Sequence, residues 1–289
     1  MFLRIVHHTR YEYSRPVAFA PHALYLRPRE TPRQRLHNFE LTIAPVARRI
    51  ATTDPLDNAL DWAYFAPEVT ATALEFRSEL MVETLDANPF DFFLKPSACA
   101  FPFSYDTAER LALAPCLTPR PDTPAPELRA WLNARLPAPP TETVAFLAAL
   151  NGAVHQALTY LPRNEEGIQS AARTLALGTG SCRDYAVFFI ELCRMLGVAA
   201  RFVSGYLHDP PLPSSSSPVQ PALHAWAEVY LPGAGWRGLD ATRGIFCDDA
   251  FVPLAHAAVA ESVNPVQGTF IGPAGVTSRL IANLSIDKL

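Results

Sequence analysis

The chain has 289 residues, of which 49% are apolar and 18% charged, and this describes a globular protein that can bury one or two substantial cores. Its formal net charge of −4 creates no basic field that attracts phosphates, so we expect neither nucleic acid nor an anionic membrane as a partner. The first residues alternate in polarity instead of forming the apolar core of a signal peptide, and no stretch approaches the roughly 20 apolar residues that span a bilayer, so the sequence predicts a cytoplasmic protein.

The N-terminal part shows the two-residue alternation that is typical of β-strands. Four segments rich in β-branched and aromatic residues carry it, namely 3–13, 38–45, 58–65 and 73–84. A turn at 54–58 separates two of them. We therefore predict an N-terminal antiparallel β domain, a sandwich or a small barrel, over residues 1–114.

A proline-rich segment at 115–126 reads as a linker, and residues 127–289 as a second domain. Apolar residues three and four apart predict helices at 126–136 and 142–161, with Thr141 or Thr143 as cap of the second. Alternation predicts strands at 201–207, 224–231 and 235–242, and one or two more in the C-terminal tail, 268–289. The fold class is therefore α+β, with helices packed on an antiparallel sheet.

The segment 210–221 is rich in proline and serine. Such a composition cannot bury itself, so we predict a mobile surface loop. The loop precedes His224, where it could act as a lid, but a tolerated insertion without a role explains it equally well.

Cys182 is the strongest candidate for a catalytic residue. Gly178 and Gly180 permit a tight turn, and Ser181 offers a cap, so Cys182 is predicted in the first turn of a helix that ends before Gly197. The unpaired N–H groups and the helix dipole at this position stabilise a thiolate, and the same N–H groups suit the oxyanion of a tetrahedral intermediate.

A helical wheel shows the direction of Cys182 relative to Glu191 and Cys193 on the predicted helix. Glu191 falls about 180° from Cys182, so Cys182 is expected to face inward. Cys193 falls near the same face as Cys182 but about three turns away, and it is expected to be a buried, inert thiol.

A thiolate needs a base and the base needs an orienting group. His224 opens a strand, and if the loop at 231–235 pairs Tyr230 with Trp236, Asp240 becomes the same-face diagonal neighbour of His224. A shift by one residue would turn Asp240 to the other face, so the predicted triad of Cys182, His224 and Asp240 depends on this register. Its order and geometry match the Cys-His-Asp/Asn logic of papain-like enzymes.

The same residues carry a family resemblance. The segments GSCRDYA (180–186), LGVAARFVSGYL (196–207), HAWAEVYLPGAGW (224–236) and GLDAT (238–242) resemble the core of bacterial transglutaminase-like proteins. The pattern at 8–16 resembles the β domain that often precedes this core. The resemblance implies cysteine-dependent acyl transfer on peptide or glutamine-type amides through a thioester, ending in hydrolysis (protease or amidase) or transfer to an amine. A noncatalytic peptide-binding or scaffold protein that kept the fold is the alternative.

Three further residues are candidates for substrate binding. They are Tyr206, which could line the cleft or donate to an oxyanion, Trp226, as a cleft wall, and Asp184. Strand aromatics are more often packing residues, and Asp184 most simply complements the helix N-terminus. The five cysteines, at wide spacings without a CxxC pair, suggest neither a disulfide framework nor a zinc site. We expect no metal and no cofactor, and a peptide or protein as substrate.

Overall fold

The structure is a computed structural model that describes residues 1–163, 167–208 and 223–289. The predicted loop at 210–221 lies outside the described residues. Among the helices of the described part of the chain, none is long and apolar enough to cross a membrane.

The N-terminal residues form two antiparallel sheets whose order is β1–β6–β3 and β2–β5–β4. Their strands are β1 (Phe2–Phe19), β2 (His22–Leu24), β3 (Gln34–Ala44), β4 (Arg48–Thr53), β5 (Ala59–Tyr64) and β6 (Thr70–Thr84). Buried side chains from both sheets, including Val17, Leu24 and Phe76, share one apolar cluster. The sheets therefore pack face to face, as in a sandwich.

The second half is a helical layer on one antiparallel sheet. Its helices are α1 (Thr107–Leu117), α2 (Ala125–Arg135), α3 (Thr143–Ala157), α4 (Ala171–Leu177) and α5 (Cys182–Met195). Its strands are β7 (Thr159–Tyr160), β8 (Thr179–Gly180), β9 (Ala200–Leu207), β10 (Leu223–Leu231), β11 (Gly235–Asp240), β12 (Ile245–Phe246) and β13 (Phe251–Ala257). The central sheet has the order β12–β11–β10–β9–β13, and the largest apolar cluster lies between it and α5. The predicted α+β class is confirmed.

The C-terminal strands belong to the other half of the molecule. These strands are β14 (Val266–Gln267), β15 (Phe270–Ile271) and β16 (Ser278–Lys288). They pair with β2 and β1, and β16 runs alongside β1 over residues 3–13. The sequence analysis grouped these strands with the core in the range 127–289, whereas the structure pairs them with the N-terminal strands β1 and β2.

The sequence analysis predicted the caps and bounds of the helices only in part. The carboxylate of Glu142, and not Thr141 or Thr143, caps α3 by accepting from the N–H groups of Val144 and Ala145. Helix α1 extends through Pro115 into the segment predicted as the linker, and the short helix α4 was not predicted.

The two N-terminal sheets, together with β14, β15 and β16, are called the β unit below. Buried polar groups connect it to the core. The Asn58 amide bonds the backbone of His256 in both directions, at 2.9 Å each. The Thr84 hydroxyl donates to the carbonyl of Asp249 at 2.6 Å. Because Asn58 is 1% exposed, these two hydrogen bonds to His256 are shielded from competing water.

Helix α5 is buried on nearly all sides, in contrast to the amphipathic helix that the wheel suggested. Glu191 is 1% exposed and pairs with Arg194 at 3.0 Å, and it accepts from the backbone N–H of Arg120 at 2.9 Å. The segment between α1 and α2 thus covers the polar side of α5. The helix that carries Cys182 is consequently a fixed central element.

Candidate active site

The start of α5 is shaped by two glycines. Gly178 ends α4 in the left-handed region, at φ 65°, where glycine carries no steric penalty. A Cβ on Gly180 would lie 2.7 Å from the Cβ of Asp184, so a side chain there would displace the first turn of α5. This turn presents Cys182 as its first residue.

Asp184 braces that turn from within the protein. Its fully buried carboxylate accepts hydrogen bonds from the backbone N–H and hydroxyl of Ser181 at 2.8 and 2.9 Å. It also accepts from the backbone N–H of Gln169 at 2.7 Å and pairs with Arg163 at 2.9 Å. This carboxylate is enclosed by these partners and positions the start of α5, and its contact with substrate stays a prediction.

His224 and Asp240 meet across the hairpin of β10 and β11. Tyr230 pairs with Trp236, and Ala227 with Leu239, which is the register that the sequence analysis required. The imidazole Nε2 of His224 lies 2.8 Å from the Asp240 carboxylate. Since an ionised carboxylate only accepts, Nε2–H is the donor, and Nδ1 is the nitrogen left for Cys182.

Asp240 is itself held in place by the turn that follows it. The backbone N–H and the hydroxyl of Thr242 donate to its other oxygen at 2.9 and 2.7 Å. Burial raises the pKa of Asp240, but hydrogen bonds from His224 and Thr242 outweigh burial, so the pKa lies below its ordinary value. The carboxylate is therefore ionised at neutral pH.

The electrostatics of His224 favour its charged form. Burial lowers the pKa of the imidazole, but hydrogen bonding to Asp240 and to Cys182, together with their charges, raises the pKa to about 9. The half-buried thiol of Cys182 is thus in contact with an imidazole that is protonated at neutral pH. A cation beside a thiol at a helix N-terminus stabilises the thiolate.

Tyr160 is a site residue that the sequence analysis missed. The parallel pair of β7 and β8 sets Tyr160 opposite Gly180, and burial, followed by the neighbouring Cys182, raises the pKa of its hydroxyl. The side chain is 49% exposed, so it stands at the open side of the thiol. The helical pattern at 142–161 concealed it, because the last residues of that pattern form β7.

The two aromatic candidates do not reach an open cleft. Tyr206 is 0% exposed, and its hydroxyl lies 3.1 Å from Nδ1 of His7 at the junction with β1. Gly205, and not Tyr206, is the β9 residue paired with His224, so alternation turns Tyr206 to the opposite face. Trp226 is 2% exposed and stacks beside His224, with ring centroids 6.3 Å apart, where it packs against the imidazole.

Cys193 shows how different the same residue type is elsewhere on α5. It is fully buried, and burial raises the pKa of its thiol well above the ordinary value. The prediction of an inert thiol is consistent with this setting. Within the described ranges, no cluster of three or more histidine, cysteine or acidic side chains could hold a metal ion.

A cysteine at the start of a buried helix, with histidine and aspartate on neighbouring strands, defines a papain-like α+β core. Family models match at two places: the transglutaminase-like superfamily over residues 131–241 and the bacterial transglutaminase-like N-terminal region over residues 3–83. The chain belongs to the transglutaminase-like superfamily. The resemblance expected from the sequence motifs is thereby confirmed.

Individual relatives extend over nearly the whole chain. An uncharacterised protein of Mycobacterium tuberculosis strain H37Rv is 28% identical over 275 residues, which are 92% of this chain and 86% of the relative. One of Mycobacterium leprae is 25% identical over 281 residues, 93% of each chain. The crystal structure of a candidate cysteine protease from Cytophaga hutchinsonii has a TM-score of 0.71 at 18% identity and covers 100% of this chain and 91% of its own. This last likeness shows a shared fold.

Proposed function

We propose that the protein is a cysteine-dependent acyltransferase or amide hydrolase that acts on peptide or glutamine-type amides through a thioester. The observation that carries the proposal is the arrangement of one imidazole, with Nε2 at 2.8 Å from the buried Asp240 carboxylate and the Cys182 thiol in contact on its other side. In this proposal Cys182, His224 and Asp240 are nucleophile, acid–base and orienting group.

The first half-reaction follows from the protonation states. The Cys182 thiolate attacks the carbonyl carbon of the amide, and the negative charge moves to the carbonyl oxygen. The backbone N–H of Cys182 is the first of α5 and has no acceptor within the helix, so it is a donor for this oxyanion. The C–N bond then breaks, and the amine leaves with the proton that His224 supplies.

In the second half-reaction a nucleophile resolves the thioester. His224, now neutral, takes a proton from water or from an amine, which attacks the carbonyl carbon. The C–S bond breaks, and the thiolate and imidazolium are restored. Water as acceptor makes the protein a hydrolase, and an amine makes it a transferase. The Tyr160 hydroxyl, at the open side of the thiol, is proposed to donate a hydrogen bond to the thiolate.

The experiment that tests the proposal uses brief labelling with iodoacetamide near neutral pH, followed by peptide mass mapping. Cys182 should react at least about 10-fold faster than the exposed Cys99, because only a thiolate is nucleophilic. A glutamine-containing peptide should acylate the wild type and leave Cys182→Ala unmodified. Equal labelling of Cys182 and Cys99 would favour a noncatalytic peptide-binding protein instead.

The acceptor is identified by adding an amine. If a primary amine diverts the product from the free acid to the substituted amide, the protein is a transferase. If the acid forms at the same rate with and without amine, it is a hydrolase. Both outcomes require the same acyl-enzyme.

We also propose that this chemistry takes place in the cytoplasm. A reducing compartment keeps a nucleophilic thiol such as Cys182 unpaired. Cell fractionation of the native host, with detection by antibody, tests the location, and recovery in an extracytoplasmic fraction would contradict it.

A further inference from the structure

A cavity with a volume of about 710 Å³ lies at the opposite end of the central sheet from Cys182. It opens beside Tyr230 near the end of β10, whereas His224 lies near the start of that strand. Six residues of extended chain separate them, about 20 Å at 3.4 Å per residue. The cavity is therefore a separate site, large enough for a small organic ligand.

The walls of this cavity are apolar. Ala108 and Ala112, one turn apart on α1, form one side, and residues 257–259 form the other. Leu56, from the β unit, and Val259 complete the rim and are 45% and 53% exposed. Exposed apolar side chains that border an apolar cavity are typical of a ligand-binding site.

One of the polar groups that line the cavity is the guanidinium of Arg201. Its Nε and Nη2 both contact one oxygen of Glu228, at 2.7 and 2.6 Å, and its planar face covers Trp236 at 3.9 Å. A guanidinium has five N–H groups, and no hydrogen bond from Nη1 to another protein group is found in the described residues. A donor held rigidly in this way suits an acceptor oxygen on a ligand.

The charges around Arg201 decide which acceptor fits. Glu228 already neutralises Arg201, and Glu109 on the wall pairs with Lys95 at 2.8 Å. His256 also lines the cavity, and burial lowers the pKa of its imidazole to about 4, so this imidazole is neutral near pH 7. A carboxylate would meet Glu109 and Glu228 nearby, and an ammonium group would meet Arg201. An uncharged carbonyl is the complementary head group.

We propose that this cavity binds a neutral molecule or peptide residue that joins an apolar chain to an amide group, whose carbonyl oxygen accepts hydrogen bonds from Arg201. The apolar chain lies between α1 and residues 257–259. The site does not require Cys182, so it stands whether or not the triad is catalytic.

The rate at which the Cys116 thiol is modified can show whether a ligand occupies the cavity, because Cys116 lines it. Wild-type protein is treated with N-ethylmaleimide at pH 8.5, because burial raises the pKa of Cys116, and modification is followed by mass mapping with and without octanamide. We expect octanamide to slow modification of Cys116 at least 5-fold and to leave the exposed Cys99 unchanged. A capped apolar dipeptide replaces octanamide in a second arm, which distinguishes a peptide ligand from a small amide.

Two variants and two head groups make the result decisive. Ala112→Trp fills the cavity from the surface of α1 and should abolish protection, whereas Ala114→Trp, on an exposed position of α1 outside the lining, should preserve it. Octylamine and octanoate should protect at least 10-fold less well than octanamide. Protection by none of these compounds, or equal protection in Ala112→Trp, would overturn the site, and equal protection by octanoate would overturn the neutral head group. Cys182→Ala should behave as the wild type.

Discussion

The two ends of β10 each hold a buried carboxylate paired with a cation, but the two pairs differ in what they can do. At one end Asp240 pairs with His224, an imidazole whose pKa is raised to about 9 and which lies next to the Cys182 thiol. At the other end Glu228 pairs with Arg201, which stays charged at any physiological pH. The difference teaches that burial of an ion pair is common to both ends, while reactivity needs a titratable partner and an adjacent nucleophile.

The largest expected effect is a loss of activity at the end of β10 that carries His224. In Asp240→Asn the imidazole loses its charged partner, so we expect kcat/KM for the amide reaction to fall about 10^4-fold, as removal of the orienting carboxylate does in other triads. Asp287→Asn, on exposed β16, is the matched control and should keep full activity.

The same variant should also change how Cys182 alkylation depends on pH. Since the pKa of His224 is raised to about 9, the imidazolium persists up to that pH, and both thiolate pairing and its contribution to stability are lost as the pH rises through about 9. Asp240→Asn should move the alkaline limb of Cys182 alkylation toward the ordinary histidine value near 6.5. An unmoved limb would mean that Asp240 does not control the imidazole.

At the other end the expected effect is on stability and not on chemistry. Glu228→Gln leaves the buried Arg201 charge uncompensated, which should lower the free energy of unfolding by about 3 kcal/mol. Urea denaturation measures it, with Glu261→Gln as control, because the Arg120–Glu261 pair is on the surface and is worth less than about 1 kcal/mol. A loss of the same size in both variants would contradict the buried pair.

A smaller effect is expected at the open side of the thiol. Tyr160→Phe removes one hydrogen bond to the thiolate, which amounts to about 1 to 1.5 kcal/mol, so kcat should fall about 10-fold with KM little changed. Tyr64→Phe, on β5 away from the site, should have no effect. If KM rises and kcat does not fall, Tyr160 contacts substrate and not the thiolate.

The smallest expected effect concerns Asp57, in the turn just before Asn58, whose amide bonds to the backbone of His256. Asp57 takes a left-handed φ of 64°, which glycine adopts without a steric penalty. We expect Asp57→Gly to change the free energy of unfolding by less than about 0.5 kcal/mol, and Asp57→Ala to lower it by about 1 kcal/mol. Thermal denaturation distinguishes the two, and equal losses would show that the backbone conformation is not what matters.

The features that the sequence predicted well are local. The glycines before Cys182, the hairpin between β10 and β11 and the alternation of β1 and β6 depend on residues close in the chain, so their physical causes are visible in the sequence. The position of Tyr206 was not predictable, because alternation identifies two faces but does not say which one meets the β unit. The burial of Glu191 was not visible in the sequence because the segment that covers it, around Arg120 and Thr123, comes from a distant part of the chain.

Nonlocal pairing also explains the remaining errors. Nothing in the alternation of 268–289 tells which sheet it joins, since any exposed strand edge offers the same backbone groups. Tyr160 reaches Cys182 only through the two-residue pair of β7 and β8, too short to leave a pattern. Glu142 caps α3 although serine, threonine, asparagine and aspartate are the favoured cap residues.

The pairing of β16 with β1 has a consequence for biosynthesis. The two strands lie at opposite ends of the sequence, so when β1 leaves the ribosome its partner is still far from being translated. Until then one edge of β1 is open, and open edges recruit foreign strands. Arrival of β16 then covers this edge of β1 over residues 3–13.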